Sequence, residues 1–287
     1  MKICRFDNDR LGVVIGDMVH DVSAVQDQIR AATAYDFKGD ALIAALPEWR
    51  GKLEAAAKAA PGKPLSSVKL LPPVLRPTKV MAAPTNYRDH IAEMEALRNN
   101  QPSKMGSDIG KAGIFLKANS SIVGPSEGIP QRFQDRRNDH ELELVMVIGR
   151  KGSNISFDKA LDYVAGYSLG LDMTVRGPED RSFRKSVDGY SPLGPYMVTA
   201  DEIPDPDNVD MTLHVNDEER QNTNTKYMVY NCRKLIEFAS TFYTLYPGDL
   251  FYTGTPKGVG PVKPGDWLIA RAAPLGELRI QVRTHEF

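Results

Sequence analysis

Apolar and polar positions alternate over the first residues of the chain. KICRF, LGVVIG and MVHDVS each read as a short strand, with Asn8-Asp9 and Gly16-Asp17 as turn signals. A helical region follows, ALIAALPEWRGKLEAAAKAA, interrupted once by Pro47. The next stretch, PGKPLSSVKLLPPVLRP, holds five prolines and reads as an extended connector. It sets a boundary near residue 75, between a small N-terminal domain (1–75) and a larger one (76–287).

Beyond the boundary, KVMAA reads as a buried strand. NYRDHIAEMEAL reads as a helix with Ile91, Met94 and Leu97 on one apolar face, Asn86 as its N-cap and Asp89 in its first turn. The polar run RNNQPSKMGSDIGK lacks either period, and residues 98–112 are expected to form a loop and a candidate lid. GIFLKANSSIVGP, ELELVMVIGR and GYSLGLDMTVR look like strands, with a short helix near FDKALDYV and another around CRKLIEFASTFYTL. Strands outnumber helices and do not alternate with them, which predicts a β-rich α+β fold.

The strand ELELVMVIGR breaks its own pattern. Side chains alternate faces, so Glu141, Glu143, Val145 and Val147 share one side and Leu142, Leu144, Met146 and Ile148 the other. Two carboxylates about 7 Å apart repel by about 2 kcal/mol at an effective dielectric of about 20. Water at an exposed strand end would relieve that; so would a divalent cation. Asp172 lies among apolar neighbours in the following strand, 29 residues after Glu143, and either caps a turn or supplies a third carboxylate. Three carboxylates plus waters suit octahedral Mg²⁺ or Mn²⁺.

Composition narrows the classes. At 287 residues, 41% apolar, with a net charge of -1, the chain has the profile of an ordinary globular protein without the electrostatic footprint of a nucleic-acid or anionic-membrane binder. No apolar run reaches membrane-spanning length. Cys4 and Cys232 are too few for a disulfide framework, which fits reduced thiols in a cytoplasmic protein.

Two constellations of catalytic type remain. His90 and Glu93, three apart on a helix, share a face: a surface pair, or an imidazole whose carboxylate partner raises its basicity toward water. Gly166-Tyr167-Ser168-Leu169-Gly170 matches a nucleophile elbow, with His214 and His285 downstream, but apolar alternation continues past Ser168 where the elbow demands a helix. TGTPKGVG lacks the phosphate-loop ending; it either turns the chain or brings backbone to a ligand. Lys185 and Arg176 could bind a carboxylate or be solvated charges.

Taken in order, NYRDHIAEM, IFLKANSSIVGP, HELELVMVIG, VAGYSLGLDMTVR, SPLGPYMVTADEI and LYPGDLFYTGTPKGVG resemble the fumarylacetoacetate hydrolase family from about Thr78 to the C-terminus. The resemblance implies a mixed β-roll with Mg²⁺ or Mn²⁺ held by Glu141, Glu143 and Asp172, and a water-activating pair at His90 and Glu93. It assigns Lys185 a catalytic role and Thr255, Arg176, Lys117 and Tyr87 to substrate binding. It further implies a small N-terminal domain and a homodimer.

The expected activity is carbon–carbon cleavage of a 2,4-diketo acid of acylpyruvate type, such as a fumarylpyruvate-like compound from aromatic catabolism. Decarboxylation of a 2-keto diacid and isomerisation of a dienoic keto acid use the same enolate and stand as alternatives. A serine hydrolase built on Ser168 and a binding protein without turnover are more remote. The chain departs from the family pattern at Gly177-Pro178-Glu179, where many relatives continue D-[LV]-Q, and at Ala118, where proline is usual. Ala82-Ala83-Pro84 stand where larger members carry a further acidic ligand, which marks the three-carboxylate type.

Overall fold

The computed structural model describes residues 1–97 and 109–285. The candidate lid therefore lies mostly outside the described residues; its last part, Ile109–Ala112, is a short helix. The strands predicted for the N-terminus form at Lys2–Phe6, Arg10–Ile15 and Met18–Asp21, joined by turns in which Asp9 and Gly16 adopt positive φ.

These strands extend a 12-stranded sheet. Its central path runs from Met18–Asp21 through Arg10–Ile15 and Lys2–Phe6 to Ser191–Thr199, Val164–Leu171, Leu142–Ile148, Leu250–Tyr252, Val80–Ala82 and Phe115–Lys117. Lys2 and Ile3 pair with Val198 and Met197, so residues 1–75 share one ladder with the rest of the chain. The division at residue 75 stands as our proposal for a boundary in sequence; in space the sheet crosses it. A five-stranded sheet, built on Asp210–Val215, Glu218–Asn224, Trp267–Ala272 and Gly276–Thr284, and a three-stranded sheet complete the β-rich α+β fold.

The alternation read in ELELVMVIGR maps onto two cores. Val145 and Val147 pack with Leu42, Ile43, Leu46 and Leu53 of the helix Ala41–Ala59, which covers one face of the large sheet. Leu142, Leu144, Met146 and Ile148 pack in the other core, with Leu213, Leu268 and Ile280 of the five-stranded sheet and Leu235, Ile236 and Ala239 of the helix Cys232–Phe242. Asp40 caps Ala41–Ala59 by accepting from Leu42 N at 3.0 Å and Ile43 N at 3.2 Å. The helix runs through Pro47 in its second turn.

Asn86 departs from its expected place. It does not cap the helix Arg88–Leu97; its buried amide donates to the carbonyls of Tyr230 (2.9 Å) and Thr253 (2.7 Å), and its Oδ1 accepts from Tyr230 N at 2.7 Å. A buried Asn with three backbone partners available is worth more there than at a solvated helix end. The region near FDKALDYV is a 3-10 helix, Phe157–Tyr163.

Asp249 closes the junction between the turn at 246–248 and the strand Val80–Ala82. Fully buried, its carboxylate accepts from Thr78 Oγ1 (2.6 Å), Lys79 N (3.0 Å), Lys79 Nζ (2.6 Å) and Tyr246 N (2.8 Å). Asp249→Ala would orphan several donors, so urea denaturation is expected to show a loss of about 3 kcal/mol, with Asp249→Asn losing roughly half as much.

Candidate active site

Two adjacent strands leave the large sheet at the same step. The strand Leu142–Ile148 is preceded by Asn138–His140, and Val164–Leu171 is followed by Thr174–Val175; both flanking pieces belong to the three-stranded sheet. Leu142 pairs with Leu171 on one side of the corner and Asp139 with Thr174 on the other. The residues at the corner itself are Glu141 and Asp172, joined by Asp172 N donating to Glu141 O at 2.8 Å. Glu143, opposite Gly170, follows on the same face as Glu141.

The corner gathers the three carboxylates. All are buried, and one oxygen from each lies within 4.8 Å of the others. The glutamate pair does not sit at an exposed strand end: both side chains are buried at the floor of a pocket. What surrounds them is a shell of donors. Lys185 Nζ donates to Glu141 Oε2 (2.8 Å) and to Asp172 Oδ2; Lys117 Nζ donates to Asp172 Oδ1 and to Tyr190 O (2.7 Å). Arg176 bridges Asp139 (2.7 Å) and Glu141 (3.2 Å), and Gly254 N donates to Glu143 Oε2 at 2.6 Å.

These cations are shared unequally. Burial alone would raise the Glu141 carboxyl, but Lys185 and Arg176 hold it well below the usual range. Glu143, with no lysine of its own, is pushed well above that range, first by burial and then by Asp172 and Glu141. Burial would lower the Lys185 ammonium, yet Asp172 and Glu141 outweigh it and raise it. A set of buried hard oxygens in which Glu143 has no hydrogen-bonded cation of its own fits a divalent cation of the Mg²⁺ or Mn²⁺ kind.

His90 and Glu93 come together as their helical spacing predicts. His90 Nδ1 lies 3.2 Å from Glu93 Oε2, and Gly258 N of the TGTPKGVG loop donates to Glu93 Oε1 at 3.0 Å. Partial burial pulls the Glu93 carboxyl up, but the bonds from His90 and Gly258 keep it below its ordinary value. An ionised carboxylate only accepts, so Nδ1 carries the proton and Nε2 is left as the basic nitrogen.

A pocket opens over this arrangement, lined by His90, Glu141, Glu143, Asp172, Arg176, Lys185 and Thr255 together with Thr85, Met94, Phe115, Arg181 and Arg184. Thr85 holds a φ of 48° there, unusual for a β-branched residue, and its buried hydroxyl has no hydrogen-bond partner among the described residues. Two expected substrate contacts are not on the wall. Lys117 lies behind Asp172, and Tyr87 is buried in the core, where burial and then Glu143 raise its phenol.

Sequence reasoning missed Arg181 and Arg184, although RSFRK places Arg181 one helical turn before Lys185 and Arg184 directly beside it. It also missed Gln221, in the strand Glu218–Asn224. Buried Gln221 accepts from Leu142 N (2.9 Å) and donates to Thr255 Oγ1 (2.9 Å) and Pro256 O (3.0 Å), tying the glutamate strand to the threonine loop. No local pattern announces a residue whose partners are 34 and 79 positions away. The nucleophile-elbow reading is overturned: Ser168 is buried inside the strand Val164–Leu171 and gives its hydroxyl to Tyr196 O at 2.9 Å.

The Glu143 proton gives the site a measurable pH signature. A carboxyl whose value is raised in the folded chain stabilises the fold at low pH, and that contribution is lost as pH rises from about 4.5 through the raised value. In EDTA near pH 7, Glu143→Gln is therefore expected to melt higher than the native protein by about 2–6 °C. The same variant should lose the stabilisation that added Mg²⁺ or Mn²⁺ gives the native chain, and native metal affinity, read by calorimetry, should weaken as pH falls because the proton competes for Glu143. A variant that melts lower in EDTA would contradict this account.

Residues 79–283 match the family model described as fumarylacetoacetate (FAA) hydrolase C-terminal. The chain is 49% identical over 287 residues to a maleylpyruvate hydrolase from Aquipseudomonas alcaligenes, covering 99% of this chain and 100% of that protein. It is 34% identical over 290 residues to a 2,4-didehydro-3-deoxy-L-rhamnonate hydrolase from Sphingomonas sp. (strain SKA58), covering 98% and 93%. Among solved structures, a maleylpyruvate hydrolase from Sphingobium sp. SYK-6, in complex with manganese (II) ion and pyruvate, is similar with a TM-score of 0.83 and 36% identity over 100% of both chains. With the family's ordered motifs folded around one carboxylate corner and its model spanning most of the sequence, this chain belongs to the fumarylacetoacetate hydrolase family.

Proposed function

We propose that this protein is a metal-dependent hydrolase that cleaves the carbon–carbon bond of an acylpyruvate, releasing pyruvate and a carboxylic acid. The observation that carries the reading is that His90, hydrogen-bonded to Glu93, lines the same pocket as the carboxylate trio. Hydrolysis must deprotonate a water, which decarboxylation does not require, and this pair supplies the base. The full-length relatives named maleylpyruvate hydrolase support the substrate class.

Glu141, Glu143 and Asp172 would hold Mg²⁺ or Mn²⁺; when bound, that ion supplies Lewis-acid stabilisation to the 2-keto acid end of the substrate. The chain's own groups do the rest. Arg176 and Thr255 orient the keto-acid carboxylate from the pocket wall. His90 Nε2 takes a proton from water while Glu93 steadies the imidazolium that forms. The resulting hydroxide adds to the acyl carbonyl, and Lys185 donates to the oxyanion that develops there. The bond between that carbon and the pyruvyl methylene breaks, its electron pair passing to the pyruvate enolate, and the proton on His90 returns to the enolate carbon.

Incubation with acylpyruvates and with oxaloacetate, following loss of substrate and appearance of pyruvate, is expected to show acylpyruvate cleavage that EDTA abolishes. His90→Ala should lower kcat by about 10²–10⁴ while metal affinity stays within about threefold; full activity in that variant would overturn the assignment. Pyruvate from oxaloacetate alone would favour decarboxylation. The proposal includes a homodimer, which sedimentation would test, and a reducing cytoplasmic setting, which the buried free thiols Cys4 and Cys232 suit. No helix among the described residues is long and apolar enough to cross a membrane.

A further inference from the structure

Gln221 lies just past an irregularity in its strand. Pairing between Asp210–Val215 and Glu218–Asn224 steps from His214 opposite Glu219 to Leu213 opposite Gln221, so Arg220 bulges out of the ladder. Around this bulge the strand meets the TGTPKGVG loop twice. The Arg220 carbonyl would lie 2.0 Å from a Cβ on Gly258, which holds a φ of 92°. The buried Gln221 amide reaches Thr255 and Pro256.

The backbone settles which way that amide faces. Leu142 N, the peptide N–H of the residue between Glu141 and Glu143, only donates, so the atom 2.9 Å from it is Oε1. The Pro256 carbonyl only accepts, so the atom 3.0 Å from it is Nε2. His140 Nδ1, 3.1 Å from Oε1, therefore carries its ring proton, and Thr255 Oγ1, 2.9 Å from Nε2, is the acceptor of that bond. A hydroxyl that accepts on its oxygen keeps its own proton free to donate. Among the described residues the Thr255 hydroxyl donates to nothing, and Thr255 lines the pocket together with Arg176 and the three carboxylates.

We propose that Gln221 is a positioning residue that acts through Thr255. By donating to Oγ1 it commits the hydroxyl to the donor role, so the loop presents an O–H to an anionic oxygen of the bound keto acid. This rests on the hydrolase reading for the placement of the keto-acid end at Thr255; that reading by itself assigns Gln221 no part.

Oxalate, a dianion the size of a keto-acid head group, reads binding without turnover. By calorimetry on protein saturated with Mn²⁺, Thr255→Val is expected to weaken oxalate by about tenfold, the worth of one hydrogen bond to a charged group. Gln221→Met should weaken it by about fivefold or more in the native background. In the Thr255→Val background the same change should cost less than about twofold, because the route through the hydroxyl is already gone. Gln221→Glu fills the same space and at pH 8 turns a carboxylate oxygen toward Thr255, so it serves for the same cycle if Gln221→Met does not fold. In hydrolysis the Gln221 variants should raise KM while kcat stays within about threefold. Equal losses of oxalate affinity in both backgrounds would make Gln221 merely structural and overturn the proposal, as would native affinity in Thr255→Val. If the hydrolase reading alone is wrong, no acylpyruvate yields pyruvate while the two substitutions remain coupled in oxalate binding.

Discussion

Like charges confined in a dry corner set the terms for the rest of this molecule. Glu141, Glu143 and Asp172 lie close enough that their repulsion is strong and are buried enough that water screens it only weakly. The fold answers with geometry. Two paired strands turn out of the large sheet together, so that Glu141 and Asp172 fall at the bend and Glu143 one step inside it. It also answers with charge, through Lys185 on Glu141 and Asp172, and through Lys117 and Arg176, which are anchored as well by the Tyr190 carbonyl and by Asp139. The balance is incomplete at Glu143, and that deficit is what suits the site to a small doubly charged ion.

Much of this was legible in the sequence, for identifiable reasons. Strand alternation in ELELVMVIGR separated the two cores correctly, because a period of two leaves little freedom about which face a side chain takes. The helical spacing of His90 and Glu93 survived into a hydrogen bond for the same reason. The failures have a common cause. Asn86 looked like a helix cap because local chemistry favours asparagine there, but buried backbone groups of Tyr230 and Thr253 claimed its amide. Gln221 left no trace, since its importance comes from partners brought in by sheet pairing. The elbow-like Gly166–Gly170 run misled only as a motif; the continuing alternation around Ser168 already placed it inside a strand.

Residues 1–75 illustrate how a variable-looking segment can become structural. Their strands lengthen the main sheet through Lys2 and Ile3, and the helix Ala41–Ala59 lays Leu42, Ile43, Leu46 and Leu53 over Val145 and Val147. The glutamate strand is therefore covered on the side where its carboxylates emerge by chain that lies outside the matched family region, residues 79–283. The residues that donate to the carboxylates themselves, Lys117, Arg176, Lys185 and Gly254, all lie within that matched region.

The helix bearing His90 is moored to the threonine loop at two points. Asn86, just before it, holds the Thr253 carbonyl, and Glu93, one turn after His90, takes the Gly258 amide. His90 and the loop at residues 253–258 are consequently tied together across one side of the pocket. A displacement of residues 253–258 would therefore pull on the helix bearing His90 at both of its points of contact, Asn86 and Glu93.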